Sequence, residues 1–172
     1  MIAAPSSGSG KTMLTCGLMR LLQKKGYEVQ GFKCGPDYID PMFHSRIIGT
    51  RSRNLDAFLC GREQVPALLQ HSAGRDISVI EGVMGYYDGL AGTSSENSTA
   101  DIARLTQSPT VLVVSAKGMS LTLAALLRGF LQFEQNTIRG VILNGISPRM
   151  TDYYAGIVEQ NTGLSVFGAM PT

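Results

Sequence analysis

Short apolar runs alternate along the chain with longer segments whose apolar residues recur every three to four positions. The runs are Met1–Ala4, Glu28–Phe32, Ile77–Ile80, Thr110–Val114, Gly140–Leu143 and Leu164–Phe167, and each reads as a strand. Most are near-continuous in Val, Ile and Leu, the composition of strands covered on both faces. Helical spacing appears from Lys11 onward (Leu14, Leu18, Leu21, Leu22) and in Gln64–His71, Thr99–Leu105, Ser120–Phe133 and Thr151–Gln160. Asn97 or Ser98 is positioned to cap the helix starting at Thr99. Strand–helix alternation predicts right-handed crossovers and a parallel sheet. Ligands then bind beyond the carboxyl ends of the strands, so chemistry is expected just after each apolar run.

The first such junction is Ala4-Pro5-Ser6-Ser7-Gly8-Ser9-Gly10-Lys11-Thr12. It lies between a strand and a helix, as a phosphate-binding loop requires. Small residues let backbone N–H groups face phosphate oxygens, and the helix adds its positive end. Ser7, Gly8, Ser9 and Gly10 would form the cradle, Lys11 would reach the β/γ-phosphates, and the Thr12 hydroxyl would ligate Mg²⁺. The motif G-x-x-x-x-G-K-[ST] departs at its first position, where this chain has Pro5. A Ser/Gly-rich turn is the plain alternative, but the register of the following helix argues against it. The expected fold is α/β, of P-loop NTPase type: three layers, with a mostly parallel central sheet and helices on both faces.

Composition narrows the setting. The 172 residues suit one domain, with 44% hydrophobic and 16% charged residues. A net charge of +2 gives no reason to expect nucleic acid or an anionic membrane as partner. No apolar stretch approaches the roughly 20 residues of a membrane span, and no signal peptide precedes the loop. Cys16, Cys34 and Cys60 are odd in number and far apart, indicating neither a zinc site nor a disulfide framework, so a cytoplasmic location is expected. The short first strand and the abrupt end after Met170 suggest one domain of a longer protein.

Three further strand ends carry candidate chemistry. Lys33-Cys34-Gly35-Pro36-Asp37-Tyr38-Ile39-Asp40-Pro41 places one cation and two carboxylates on what reads as a turn-rich loop. Glu81, ending the third strand, is placed to orient Mg²⁺, and a Gly-rich loop carrying Asp88 follows it. Asn144 closes the fifth strand, where its amide could meet the edge of adenine or simply shape a turn before Gly145. Asn54-Leu55-Asp56 reads as a link into a helical pattern. The nearby Arg46, Arg51, Arg53 and Arg62 form a solvated basic face or a docking surface for a substrate with several carboxylates. His44 and His71 have no ligand spacing. The apolar Ser120–Phe133 segment is either buried or part of a subunit contact, which makes a homodimer an expectation.

Taken together, the phosphate loop, Phe32–Pro41, Asn54–Asp56, Glu81–Gly89 and Ser98–Asp101 resemble the cobyrinic acid a,c-diamide synthase family over essentially the whole chain. The Gly-Pro-Asp-Tyr-Ile-Asp-Pro and Glu-Gly-Val-Met-Gly blocks carry the resemblance; the phosphate loop alone is not specific. The family has an N-terminal ATP-binding domain similar to dethiobiotin synthetase and a C-terminal glutaminase that supplies ammonia. Only the first is expected here, so the chain should lack glutamine-dependent activity by itself.

The resemblance implies an ATP- and Mg²⁺-dependent ligase of cobalamin biosynthesis, amidating the a and c carboxylates of a corrin precursor through an acyl phosphate. Thr12, Asp37 and Glu81 would then hold Mg²⁺. Lys33 would neutralise the transferring phosphoryl group or the acceptor carboxylate, and Asp40 and Asp88 would bracket the intermediate or the incoming ammonia. Tyr38, Asp56 and Tyr87 would contact substrate. A nickel-sirohydrochlorin a,c-diamide synthase would use the same chemistry. Dethiobiotin synthetase typically has an acidic residue at the position of Gly8, and a dimeric switch ATPase needs a lysine at the position of Ser6; this chain has neither.

Overall fold

The computed structural model describes residues 1–49, 51–72 and 76–171. The elements are β1 (Ile2–Ala3), α1 (Lys11–Lys24), β2 (Val29–Cys34), α2 (Ile39–Ile48), β3 (Arg53–Leu55), α3 (Ala57–Cys60), α4 (Val65–Ser72), β4 (Ile77–Glu81), α5 (Thr99–Leu105), β5 (Thr110–Ser115), α6 (Leu121–Phe133), β6 (Ile138–Asn144), α7 (Thr151–Thr162) and β7 (Ser165–Met170). The strands form one sheet in the order β3-β2-β4-β1-β5-β6-β7. Every pairing is parallel.

Handedness dictates the layers. From β1 the chain runs outward to β2 and β3 through α1 and α2, then reverses and proceeds toward β7 through the remaining helices. Right-handed crossovers in opposite directions put the two helix sets on opposite faces. The cores agree. Met19, Leu14 and Leu18 of α1 and Ile48 of α2 pack with Ile2, Ala4, Val79 and Val113. Ala103 of α5, Leu123 and Leu127 of α6 and Val158 of α7 pack with Ala3, Leu112 and Val114. Neighbouring residues of one strand thus serve opposite cores, the period-2 signature of a sheet buried on both sides. The connections that leave the neighbouring strands β1 and β4 run in opposite directions, and their ends part around the phosphate loop.

Two segments differ from the sequence reading. The turn-rich loop expected through Pro41 is shorter, because Lys33 and Cys34 belong to β2 and α2 begins at Ile39. Pro41 lies in the first turn of α2, where its missing N–H leaves no intrahelical bond unmade. Asn54-Leu55 is not a link but part of β3, pairing with Lys33 and Cys34. A three-residue edge strand reading Arg-Asn-Leu is too short to show a period. Asp56 caps α3, accepting from the Phe58 and Leu59 N–H groups at 2.9 and 3.2 Å. Ser98 caps α5 through the Asp101 N–H. Among the described residues no helix is long and apolar enough to cross a membrane.

Helix α6 uses Leu123, Ala124 and Leu127 against the sheet and leaves Leu121 and Phe133 exposed. Leu127→Ala should therefore cost about 2–5 kcal/mol of unfolding free energy. Leu121→Ala should stay within about 0.5 kcal/mol of the parent. Urea denaturation of both variants checks the assignment of the inner face.

Candidate functional site

Parallel register brings three loops to one place. Glu81 at the end of β4 is the register partner of both Ile2 and Lys33. The loops that follow β1, β2 and β4 therefore emerge side by side. Gly8 and Gly10 take φ values of 75° and 92°, which L side chains resist, and Gly10 sits at the start of α1. A Cβ on Gly10 would also stand 2.5 Å from Asn144 Nδ2. Asn144 supports the loop from its side, donating to the Ser9 carbonyl at 2.9 Å. Ser7 and Gly8 lie exposed at the crown, and Ser9 Oγ donates back to the Ser6 carbonyl.

Lys11 is buried at the base of this loop and donates to the carbonyls of Ser6 (3.0 Å) and Met84 (2.7 Å). Burial, with the Lys33 charge beside it, holds its pKa below the ordinary lysine value, partly opposed by Glu81, Asp40 and Asp88. Next to it, Thr12 Oγ1 donates to Glu81 Oε1 at 2.6 Å.

Glu81 is fully buried. Its Oε1 also accepts from Lys33 Nζ at 3.1 Å, and Lys33 reaches Asp40 Oδ2 at 2.6 Å and Asp37 Oδ2 at 3.9 Å. The Gly82 carbonyl takes a further bond from the same ammonium. Burial alone would lower the Lys33 pKa, but the hydrogen bond to Asp40 and the charges of Glu81 and Asp40 leave it raised. Asp40 is held below the usual carboxylate value: burial pushes it up, and the Lys33 hydrogen bond and charge more than offset that. Asp37 Oδ1 accepts from the Ile39 N–H, and Asn54 Nδ2 donates to the Gly35 and Asp37 carbonyls, so β3 braces this loop. Tyr38, 82% exposed, projects beside it.

The sequence profile of the CobQ/CobB/MinD/ParA nucleotide binding domain matches residues 1–172. The chain belongs to this family. A cobyrinate a,c-diamide synthase of Clostridium tetani is 46% identical over 171 residues, covering 99% of this chain and 38% of the relative. A hydrogenobyrinate a,c-diamide synthase of Streptomyces coelicolor is 46% identical over 172 residues, covering 99% of this chain and 35% of the relative. The chain thus spans under two-fifths of the length of these relatives. Among solved structures, the MinD cell division protein of Aquifex aeolicus superposes with a TM-score of 0.62 at 18% identity, covering 99% of this chain and 80% of that one. The hydrogenase maturation factor HypB of Archaeoglobus fulgidus gives 0.61 at 14%, covering 99% and 79%. These two share the fold.

In this CobQ/CobB/MinD/ParA domain the remaining candidates divide between the phosphate loop and contacts elsewhere. Asp88 Oδ2 accepts from the Gly85 N–H at 2.9 Å, and a Cβ on Gly85 would meet both that carboxylate and the Pro5 carbonyl. The Asp88 loop therefore packs directly on the phosphate loop. Tyr87 lies behind it, donating to the Phe130 carbonyl at 2.6 Å; burial, with Tyr86 adding, pushes its hydroxyl up to about 12. Asp56 is buried at the head of α3, with Oδ1 capping and Oδ2 unpartnered. Of the four arginines, Arg62 is paired with Asp101, whereas Arg51 and Arg53 border a cleft with Asn54 and His71. Sequence reasoning gave Met84 and Ser52 no role of their own and set His44 aside for want of ligand spacing. His44 Nε2 meets Glu81 Oε2 at 2.6 Å. Its signal was the four-residue step from Asp40, visible only once α2 is known to be a helix.

Three carboxylates thus surround one buried ammonium beside a phosphate loop. This arrangement can pair a polyphosphate with an acceptor that carries its own negative charge. Because the folded Asp40 pKa is depressed, its contribution to stability is complete above the ordinary aspartate value of 3.8 and is lost as pH falls through the lower folded value. The stability advantage of the parent over Asp40→Asn should hold at neutral pH and shrink below that point, as read from urea midpoints across an acid series.

Proposed function

We propose that this domain is the synthetase half of an ATP-dependent amidoligase that converts the a and c carboxylates of a cobyrinic-acid-type corrin to amides. The observation that carries the reading is the unbroken hydrogen-bonded run Thr12–Glu81–Lys33–Asp40. It joins the head of the phosphate-loop helix to the Gly35–Pro41 segment, so nucleotide and acceptor carboxylate meet across one lysine. The names of the relatives, both a,c-diamide synthases, supply the substrate class.

The donor set fits magnesium. Among the described residues no group of three His, Cys, Asp or Glu side chains could cage a metal alone. A hydroxyl and a carboxylate meet at 2.6 Å beside the phosphate loop instead, which suits an ion that takes its other ligands from phosphate and water. Thr12 and Glu81, with Asp37 from the adjoining loop, are the residues that would hold it. When bound, Mg²⁺ neutralises charge on the β- and γ-phosphates. Lys11 binds the same phosphates by leaving the Ser6 and Met84 carbonyls. Lys33 offsets the repulsion between the acceptor carboxylate and the γ-phosphate. The carboxylate oxygen attacks phosphorus and ADP leaves. Ammonia, delivered in the whole protein by a glutaminase domain, then attacks the acyl carbon, phosphate departs, and the nitrogen loses its proton. Asp40 and Asp88 flank this second step, and Tyr38 meets the macrocycle edge. Free thiols at Cys16, Cys34 and Cys60 suit a cytoplasmic setting.

Free ammonia tests the reading without a glutaminase. With Mg-ATP, ammonium chloride and cobyrinic acid, product mass should report two successive exchanges of hydroxyl for amide, each matched by ADP. Lys11→Ala should lose ATP affinity by roughly a hundredfold. Asp37→Asn should bind ATP and fail to amidate. ATP hydrolysis stimulated by DNA or lipid, with no corrin product, would replace this function with that of a switch ATPase.

A further inference from the structure

The two oxygens of Glu81 have separate duties. Oε1 accepts from Thr12 and Lys33, at the head of α1. Oε2 is held at 2.6 Å by His44 Nε2, from a ring that is completely buried. An ionised carboxylate only accepts, so His44 Nε2 carries the hydrogen. The other ring nitrogen lies 3.2 Å from Ser52 Oγ, which fixes the rotation of the imidazole. Ser52 is itself clamped: its N–H donates to Ser45 Oγ at 2.8 Å, and Ser45 Oγ donates to the Pro41 carbonyl at 2.6 Å. The strand beneath makes room for the pair. A Cβ on Gly31 would stand 3.2 Å from Ser52 Oγ and 3.5 Å from His44 Cβ. Gly31 has no left-handed backbone, so space rather than conformation is what the position requires.

This anchoring answers a specific problem. Lys33 is shared among Glu81, Asp40 and Asp37. A carboxylate tied to that lysine alone would follow it toward the other two. A second anchor on the far oxygen fixes the torsion of the Glu81 head group independently of Lys33. Partners behind a metal-side ligand are known to set its orientation and basicity.

We propose that His44, seated on Ser52, is a positioning residue that fixes the rotation of Glu81 and so presents Oε1 beside Thr12 to the nucleotide-bound magnesium. The inference rests on the reading of this site as a magnesium–nucleotide site. It does not depend on what is amidated. The alternative is a buried histidine that merely packs, whose loss would lower stability and nothing else.

The test is the ratio of ATP affinities with Mg²⁺ and with EDTA, measured by calorimetry on the purified 172-residue chain below each variant's unfolding midpoint. In His44→Ala, affinity in EDTA should be unchanged, while the gain from Mg²⁺ should fall roughly ten- to a hundredfold. His44→Gln keeps an N–H donor at the same reach and should restore most of the gain. Ser52→Ala should show a smaller loss of the same kind. A full magnesium gain in His44→Ala overturns the proposal, as does a His44→Gln no better than the alanine variant, or a parent chain indifferent to Mg²⁺. Should His44→Ala fail to fold, an unchanged gain in Ser52→Ala overturns it, and a reduced gain there with a near-parental gain in His44→Gln sustains it. A chain that shows the His44 effect yet amidates no corrin keeps this proposal and loses only the function proposed above.

Discussion

A carboxylate with no exposure to water is expensive to hold, and Glu81 is held by groups from three different elements. Thr12 comes from α1, Lys33 from β2 and His44 from α2. The Lys33 bond is possible only while β2 and β4 keep the register that sets Lys33 opposite Glu81. A slip of either strand by one residue would turn its side chain to the other face of the sheet, away from its partner. Buried ion pairs of this kind contribute little net stability, since desolvation offsets most of the attraction. Their effect is on geometry: the alignment of the β1, β2 and β4 ends and the alignment of the ionic cluster are one condition.

The sheet was largely legible in the sequence because its strands are covered on both faces and read as continuous Val, Ile and Leu. Helices such as α1 and α7 were legible because one side of each is wet. The expected Thr99–Leu105 helix has those limits in the structure, with Ser98 as its cap. What escaped was set by contacts rather than by period. Helix α2 follows Gly35-Pro36-Asp37 and contains Pro41, all of which read locally as turn. Its burial comes from Pro41, His44 and Ile48, a stripe too sparse to declare itself. Strand β3 owes its existence to pairing with β2.

The same difference separates the parts of the site. Lys11, Thr12, Lys33, Asp37, Asp40 and Glu81 were named because strand ends carry chemistry in parallel sheets, and the fold brings them together. Asp56 and Tyr87 were named through the family resemblance; one oxygen of Asp56 caps a helix and the Tyr87 hydroxyl is tied to α6. Position selects a loop; it does not reveal which of its polar atoms are already engaged. Fold likeness at 14–18% identity carries the sheet and its loops, and the side chains at the strand ends carry the chemistry.

Lys11 already has two carbonyl partners before any nucleotide arrives. Under the proposed role, a phosphate that reached Lys11 would displace these carbonyls rather than fill a void. The bonds given up are to neutral oxygens, and bonds to ionised oxygens are about twice as strong. Met84, one of those partners, sits at φ 49°, a conformation its side chain resists. Under the proposed role, the loop would discriminate by ligand charge, because only a strongly anionic group would repay the loss of both carbonyl bonds.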